Sequence, residues 1–463
     1  MRYLTRVFGV SAVLAFTAAA CASNATSPTG TLPARVDSSP LATVLRKLRS
    51  HATGKIQHVV IIIQENRSFD NLLQGFPNAD TRSYGYDSNG KKVTLNQITL
   101  ATNWDIDHSS YSFITACDGK GKYPGTECRM NGFNNESIGC GGSSDPCPYP
   151  EPEYAYVPHS ETAPYFAMGE QYVVADRMFE SDYDSNSFIS HQYIIAGQAG
   201  KSAVNEPAYF PWGCDASGNT IATVNKQRQI GAPYQQVCWD DPTLGDEADA
   251  AGVSWGYYTA DVNGDGGLWS GYQAIRHIRY GPDWTNDVKT PQTQFFTDIQ
   301  NGNLPAISWV TPTCANSDHA GCGSNTGPSW VTSLVNAIGQ SKYWNSTAIF
   351  IFWDDYGGWY DHVAPKKLDY DGLGFRIPMI IISPYAKQGY VSHVPYEHGS
   401  ILKFTEDQFG LGRLAATDNR ATSPETDCFD FSKPPRKFSP FKAEYDRNFF
   451  LQQPPDTRVP DPE

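Results

Sequence analysis

Short apolar runs recur along the chain, and six of them have the length and composition of buried β-strands. The clearest are residues 59–63, which are all branched aliphatic, and residues 348–353, which mix aliphatic and aromatic side chains. A run that is apolar on both faces is typical of a strand in a parallel sheet covered by helices on both sides. The predicted strands are residues 59–63, 172–174, 252–258, 306–310, 348–353 and 379–383.

Helical patterns of apolar residues alternate with these strands. They cover residues 68–73, 165–170, 190–196, 329–339 and 398–409. This alternation predicts an α/β fold with a doubly wound, mostly parallel sheet and helices on both faces. Residues 80–161 differ, because they contain many turn residues, four cysteines and little apolar periodicity. We expect them to form a long loop insertion over the active edge of the sheet.

Acidic residues follow two of the predicted strands. Glu65 and Asn66 come after the first run, and Asp354 and Asp355 come directly after residues 348–353. Open α/β sheets bind ligands at the carboxyl ends of their parallel strands. If the two strand ends meet, their carboxylate and amide oxygens would form a site for a divalent metal ion. The alternative is that each cluster is a polar strand end that only meets solvent.

The N-terminus has the pattern of an export signal. Residues 1–22 combine a short basic start, an apolar stretch too short to span a bilayer, and small residues around Ala20. Cleavage after Ala20 would leave Cys21 first and allow an N-terminal lipid anchor, whereas ordinary cleavage beside Ala20 or Ala22 would not. Residues 23–54, which contain a stretch rich in Ser, Thr and Pro, are predicted to be a flexible tether and linker.

Composition narrows the class of protein. The chain has 463 residues, of which 40% are hydrophobic and 18% charged, as in a globular protein. Its formal net charge is −14 and no basic stripe is visible, which argues against nucleic acid as a partner.

The cysteines also indicate an oxidising compartment. Besides Cys21 there are nine, and the first eight fall into close sequential couples inside Gly-, Pro- and Asn-rich stretches. Metal binding is the rival interpretation, but no Cys-x-x-Cys pair supports it. Cys428 is left over, either as a buried thiol or in a different pairing. The predicted disulfides are Cys117–Cys128, Cys140–Cys147, Cys214–Cys238 and Cys314–Cys322.

The sequence Gln-Glu-Asn-Arg-Ser-Phe-Asp at residues 64–70 resembles the bacterial phosphoesterase family that contains secreted phospholipases C and certain acid phosphatases. Further matching blocks follow in the family's order, which is more specific than any one block. The resemblance implies an alkaline-phosphatase-like fold, with a catalytic domain over residues 55–416 and a C-terminal extension over residues 417–463 packed on it. The further blocks are residues 107–108, 130–133, 182–197, 304–310, 317–319, 354–363 and 376–385.

The resemblance also implies the metal ligands. Glu65, Asn66, Asp354 and Asp355 align with the family's ligands, for one divalent ion that is Ca, Mg, Mn or Zn.

The nucleophile of the family aligns with Ser187. Ile189, Ser190 and His191 replace the Pro, Asn and Arg usual in this block, so Ser181, Ser185 and Ser190 stay open as rival nucleophiles, and the part played by His191 is ambiguous.

Three histidines align with residues that the family uses around the phosphate. His108 and His277 would face the phosphoryl oxygens, and His319 would protonate the leaving group or activate water.

The expected function is an exported, metal-dependent phosphoric-ester hydrolase that forms a phosphoserine intermediate. Its substrate would be a small phosphate ester or a phospholipid, with a slight preference for monoesters. The alternative is a non-catalytic surface protein that binds a phosphorylated ligand or a glycan on the same fold. Sulfate-ester cleavage is less favoured, since the segment after Ser187 lacks the Pro and Arg that such enzymes use.

Overall fold

A nine-stranded mixed sheet organises the chain in the computed structural model. The structure describes residues 54–456 and 458, except 142–145, 184, 185, 206, 208, 209, 217, 263 and 264. The predicted export signal, the tether up to residue 53 and Cys21 lie outside the described residues. Among the described residues, no helix combines the length and hydropathy needed to cross a membrane.

The described residues contain sixteen strands in chain order. They are β1 His58–Gln64, β2 Tyr84–Tyr86, β3 Lys92–Thr94, β4 Asn96–Gln97, β5 Ala155–Tyr156, β6 Val173–Phe179, β7 Ala203–Val204, β8 Thr220–Val224, β9 Ile230–Gln236, β10 Trp255–Tyr258, β11 Val288–Lys289, β12 Ile307–Val310, β13 Thr347–Trp353, β14 Arg376–Ile382, β15 Tyr390–Ser392 and β16 Tyr396–Glu397.

Thirteen α-helices accompany them in the same part of the chain. They are α1 Phe69–Leu72, α2 Ser110–Cys117, α3 His159–Gln171, α4 Ser187–Ala196, α5 Leu244–Ala251, α6 Arg276–Arg279, α7 Asp283–Asn286, α8 Gln294–Asn301, α9 Gly327–Gly339, α10 His398–Phe409, α11 Ala416–Arg420, α12 Glu425–Cys428 and α13 Arg447–Gln452. Short 3-10 turns lie at Phe133–Asn135, Gly213–Asp215, Asp265–Trp269, Gly271–Ala274, Cys314–Asn316 and Trp344–Ser346.

The strand order of the main sheet is β11-β10-β12-β1-β13-β14-β6-β15, and β16 also pairs with β6. All neighbouring pairs are parallel except those of β14, which is antiparallel to both β13 and β6. The predicted α/β class with a mostly parallel sheet is therefore confirmed. The smaller sheets β2-β3 and β4-β5 belong to the predicted insertion, and β7-β8-β9 lies between α4 and α5.

The central strands follow the apolar runs closely because both of their faces are covered. Residues 59–63 and 348–353 have no exposed surface, so burial decides where these strands lie. Strand β10 begins later than predicted, because Gly252 ends α5 in the left-handed region at φ 65°. Strand β6 continues past Val174 through Asp176, which is buried and accepts a hydrogen bond from the Asp80 backbone at 2.7 Å.

All four predicted disulfides are present, each joining cysteines 7 to 24 residues apart. Two of them, Cys117–Cys128 and Cys140–Cys147, lie in the predicted insertion. The remaining cysteine, Cys428, is a buried free thiol, the first of the two expectations for it.

A buried guanidinium connects three segments around β1. Arg376, the first residue of β14, has no exposed surface, and its Nε donates to both carboxylate oxygens of Asp361 at 3.0 Å. Its Nη2 lies 3.3 Å from Oδ1 of Asp70, and its Nη1 donates to the carbonyl oxygens of Asp80 and Asp176. The cation therefore balances two buried carboxylates, one on α1 and one after β13.

Replacing Arg376 by Met is expected to lower the free energy of unfolding by about 3–5 kcal/mol, because it leaves two buried carboxylates without their cation. Urea unfolding of the oxidised protein, followed by tryptophan fluorescence, measures this change. The matched control is Arg276→Met, which removes a half-exposed ion pair with Asp240 and should cost less than about 1 kcal/mol. Equal stabilities of the two variants would contradict the balancing role of Arg376.

Candidate active site

The two acidic clusters meet at the carboxyl ends of neighbouring strands. Strands β1 and β13 pair in parallel, with Gln64 opposite Trp353, so the residues that follow lie side by side. Glu65, Asn66, Asp354 and Asp355 are all fully buried. The backbone N–H of Asn66 donates to Oδ1 of Asp354 at 3.0 Å, which connects the two strand ends.

A tight turn after β13 holds this arrangement. Asn66 has φ 59° and Gly357 has φ 60°, both in the left-handed region. A Cβ on Gly357 would lie 2.3 Å from the carbonyl oxygen of Asn66, so no larger residue fits the position. The Gly357 amide donates to Oδ1 of Asp355 at 2.8 Å and thereby orients that carboxylate.

Ser187 lies against the strand ends at the start of α4. Its hydroxyl oxygen is buried, 3.3 Å from Oδ1 of Asn66 and 3.3 Å from Oδ2 of Asp355. As the first residue of a ten-residue helix, it lies where backbone N–H groups and the helix dipole favour an anion.

The rival serines are placed differently. Ser181 donates to Oε2 of Glu397 at 2.9 Å and accepts from the Gly399 amide, which is a helix-capping arrangement. Ser190 is buried in α4, and its hydroxyl has no hydrogen-bond partner among the described residues. Ser185 lies outside the described residues.

His108 reaches this cluster from the predicted insertion. Its Nδ1 is 2.7 Å from the Ile106 carbonyl oxygen, which only accepts, so Nδ1 carries the proton of the neutral ring. Its Nε2 then accepts from Nδ2 of Asn66 at 2.7 Å. This bond turns Oδ1 of Asn66 toward Ser187.

His319 lies on the far side of His108, with the ring centroids 6.3 Å apart. Its Nδ1 contacts the Ala320 carbonyl oxygen, and its Nε2 is 3.7 Å from Oδ2 of Asp105. The preceding Asp318 accepts from Nε1 of Trp353 at 3.1 Å, and burial raises the pKa of Asp318 to about 6.

The structure does not bring His277 into this cluster. Its side chain is 38% exposed on α6, and its ring nitrogens lie 2.9 Å from Asp246 and 3.4 Å from Asp240. Its hydrogen bonds thus belong to an ion-pair group at the surface, whereas His108 and His319 are fully buried.

The sequence left the part played by His191 open, and the structure places it at the centre of the cluster. It lies one helical turn after Ser187, with Nε2 3.2 and 3.3 Å from the two carboxylate oxygens of Glu65. Burial lowers the pKa of His191 to about 4, although the charge of Asp354 acts in the opposite direction. The four-residue spacing from Ser187 was the available signal, since it puts both side chains on one helix face.

The donor set fits a divalent cation. Ligand atoms of Glu65, His191 and Asp354 all lie within 4.8 Å of one another. Oδ2 of Asp354 is buried and has no hydrogen-bond donor among the described residues, which is costly for a charged oxygen. A cation at this position would remove that cost.

An open cavity of about 620 Å³ is lined by residues that neighbour His108 and His319. These residues include Asp105, which contacts His319, and Ile106, whose carbonyl oxygen holds His108. Trp104 and Ile138 give the cavity an apolar wall.

The chain is similar to several known proteins. The phosphoesterase family model matches residues 56–412. Phospholipase C B of Mycobacterium tuberculosis is 26% identical over 442 residues, covering 83% of this chain and 80% of that protein. Non-hemolytic phospholipase C of Pseudomonas aeruginosa is 24% identical, covering 89% of this chain and 62% of that longer protein. A Vibrio parahaemolyticus protein of the alkaline phosphatase superfamily superposes with a TM-score of 0.37 and 10% identity, covering 81% of this chain and 72% of that one.

The family match spans most of the chain, from two residues before β1 to the segment that follows α10. It contains both strand ends, the helix that begins with Ser187 and both buried histidines. The chain therefore belongs to the phosphoesterase family and is a phosphoric ester hydrolase.

Proposed function

We propose that the protein is an exported, metal-dependent phosphoric-ester hydrolase with Ser187 as its nucleophile. The observation that carries this proposal is the position of the Ser187 hydroxyl, 3.3 Å from both Asn66 and Asp355 inside a buried cluster of oxygen donors. Glu65, Asn66, Asp354 and Asp355 would hold one divalent ion beside that hydroxyl. When bound, the ion would lower the pKa of the Ser187 hydroxyl, and its positive charge would stabilise the negative charge on the phosphoryl oxygens.

Electrostatics supports the need for that ion. Two like charges 4 Å apart repel by about 4 kcal/mol at the effective dielectric constant near a protein surface. A phosphate ester that approached three buried carboxylates would face this repulsion several times over. The N-terminus of α4 offers backbone N–H groups to the phosphoryl group, but partial charges do not balance three carboxylates.

Ser187 and the buried histidines divide the chemistry. The Ser187 oxygen forms a bond to phosphorus while the bond from phosphorus to the leaving alcohol breaks, which gives a phosphoserine. His319, whose Nδ1 is held by the Ala320 carbonyl, has Nε2 for protonating that alcohol. Asp105, 3.7 Å from this nitrogen, stabilises the protonated ring. Water activated at the same nitrogen then releases phosphate or the phosphoryl product.

The relatives named phospholipase C favour a phosphodiester of the phospholipid type as substrate. The apolar wall formed by Trp104 and Ile138 suits the organic part of such a substrate better than water. Four disulfides support export, because cytosolic thiols are kept reduced. The replacements at residues 189–191 depart from the family's usual block, so the variants below test Ser187 as the nucleophile.

Replacing Ser187 by Ala is expected to reduce hydrolysis of a nitrophenyl phosphate ester at least about a thousandfold, because no other group forms the covalent intermediate. Nitrophenol release measures the rate, and calorimetry measures metal binding, which should persist. The control is Ser190→Ala, a buried serine of the same helix that should keep most of the activity. Unchanged turnover in Ser187→Ala would remove Ser187 from the mechanism.

Chelation followed by dialysis is expected to lower the rate about a hundredfold or more, and added divalent ion should restore it. The activity of the Asp354→Asn variant should not return at ion concentrations that reactivate the native protein. Asp430→Asn, which changes a half-buried carboxylate that pairs with Lys433, serves as the control and should recover fully. A chelated protein with full activity would contradict metal dependence.

A substrate panel separates the ester classes. We expect nitrophenyl phosphorylcholine and phosphatidylcholine to be hydrolysed faster than nitrophenyl phosphate, as the names of the relatives suggest. Initial rates at equal concentrations of native protein and of Ser187→Ala give the comparison. Preference for the monoester would assign a phosphatase instead, and failure on all three would contradict both of these substrate classes.

A further inference from the structure

His191 occupies a position that the oxygen-donor site does not require. It is fully buried, and its Nε2 is directed at two carboxylates, 3.2 Å from Oε1 of Glu65 and 3.8 Å from Oδ2 of Asp354. The second separation is too long for a hydrogen bond, and that Asp354 oxygen has no other donor among the described residues. Three buried polar groups therefore converge on one point, and the contact between His191 and Glu65 leaves Oδ2 of Asp354 without a donor among the described residues.

These separations match the edges of a metal coordination shell. Bonds of about 2.0–2.2 Å to nitrogen and oxygen place neighbouring ligands about 3.0–3.6 Å apart. The separations of 3.2 and 3.3 Å from Nε2 to Glu65 fall in this range, and the 3.8 Å to Asp354 is close to it. A simple hydrogen bond from His191 to Glu65 would explain the first contacts but not the position of Asp354.

We infer that His191 is a direct ligand of the active-site ion through Nε2, which makes the site a mixed nitrogen–oxygen site that selects zinc or another first-row transition ion over calcium and magnesium. Imidazole suits such ions, whereas calcium and magnesium prefer oxygen ligands alone. The inference rests on the metal site of the proposed function and deepens it by naming the class of ion.

Pulsed electron paramagnetic resonance of the Mn²⁺-loaded protein tests the ligand directly, without an activity measurement. We expect coupling of the ion to one imidazole ¹⁴N in the native protein and its loss in His191→Gln. His108→Gln and His398→Gln should both keep the coupling. His398 is the matched control, because it is equally buried and lies within electrostatic reach of Asp354.

Titration calorimetry measures the selectivity of the site for Zn²⁺ over Ca²⁺. In His191→Gln the affinity for Zn²⁺ should fall about a hundredfold or more, while the affinity for Ca²⁺ should change less than about threefold. Equal losses for both ions would mean that the variant damages the whole site, which would count against a specific nitrogen ligand.

Each of the following outcomes overturns the inference. Absence of nitrogen coupling in a metal-loaded native protein, or its persistence in His191→Gln, rejects His191 as ligand but leaves the metal-dependent hydrolase standing. A native protein that binds no divalent ion rejects both.

If His191→Gln does not fold, ¹⁵N-histidine labelling of the native protein and of His108→Gln, His319→Gln and His398→Gln replaces it. A ¹⁵N pattern in the native protein that persists in all three variants supports the inference. An unchanged spectrum on labelling the native protein, or loss of the pattern in one of the three variants, rejects it.

Discussion

Parallel pairing of β1 with β13 is the constraint on which the rest of the site depends. It places Gln64 opposite Trp353. The residues that follow the two strands therefore come into contact, and Asn66 is hydrogen-bonded to Asp354 although 288 positions separate them along the chain. Side chains on a strand alternate between faces, so a slip of one residue would turn every carboxylate to the wrong side. Residues 59–64 and all of β13 are buried, which prevents that slip, because it would bring the neighbouring polar residues into the core.

Two buried acidic groups lie close to β1, and they are balanced in different ways. Asp70 and Asp361 contact the guanidinium of Arg376, which is part of the fold. Glu65 and Asp354 contact His191, and burial opposes a positive charge on that ring. The first group has its cation within the polypeptide, whereas in the second group the proposed metal ion would supply the positive charge.

Much of the fold could be predicted from apolar runs, because burial on both faces determines the central strands. The predicted strand ended at residue 174, whereas β6 continues to Phe179. Asp176 interrupts the apolar pattern, but it is buried because the distant residues Asp80 and His393 form hydrogen bonds with it. The short spacing between successive cysteines along the chain was enough to predict the four disulfides. In the site, strand-end chemistry indicated Glu65 and Asp354. The four-residue spacing puts His191 on the same helix face as Ser187, but the direction in which that face of α4 points depends on packing against distant residues and needed the structure.

The wide separation of the two strand ends along the chain has a consequence for biosynthesis. At about 5–20 residues per second, the ribosome needs about 15–60 seconds between making the first ligand pair and the second. During that interval the nascent chain contains Glu65 and Asn66 without their counterparts, and two donors alone hold an ion weakly. Binding of the proposed ion is therefore postponed until translation has passed residue 355, so the ions present where the finished chain folds would decide which one occupies the proposed site.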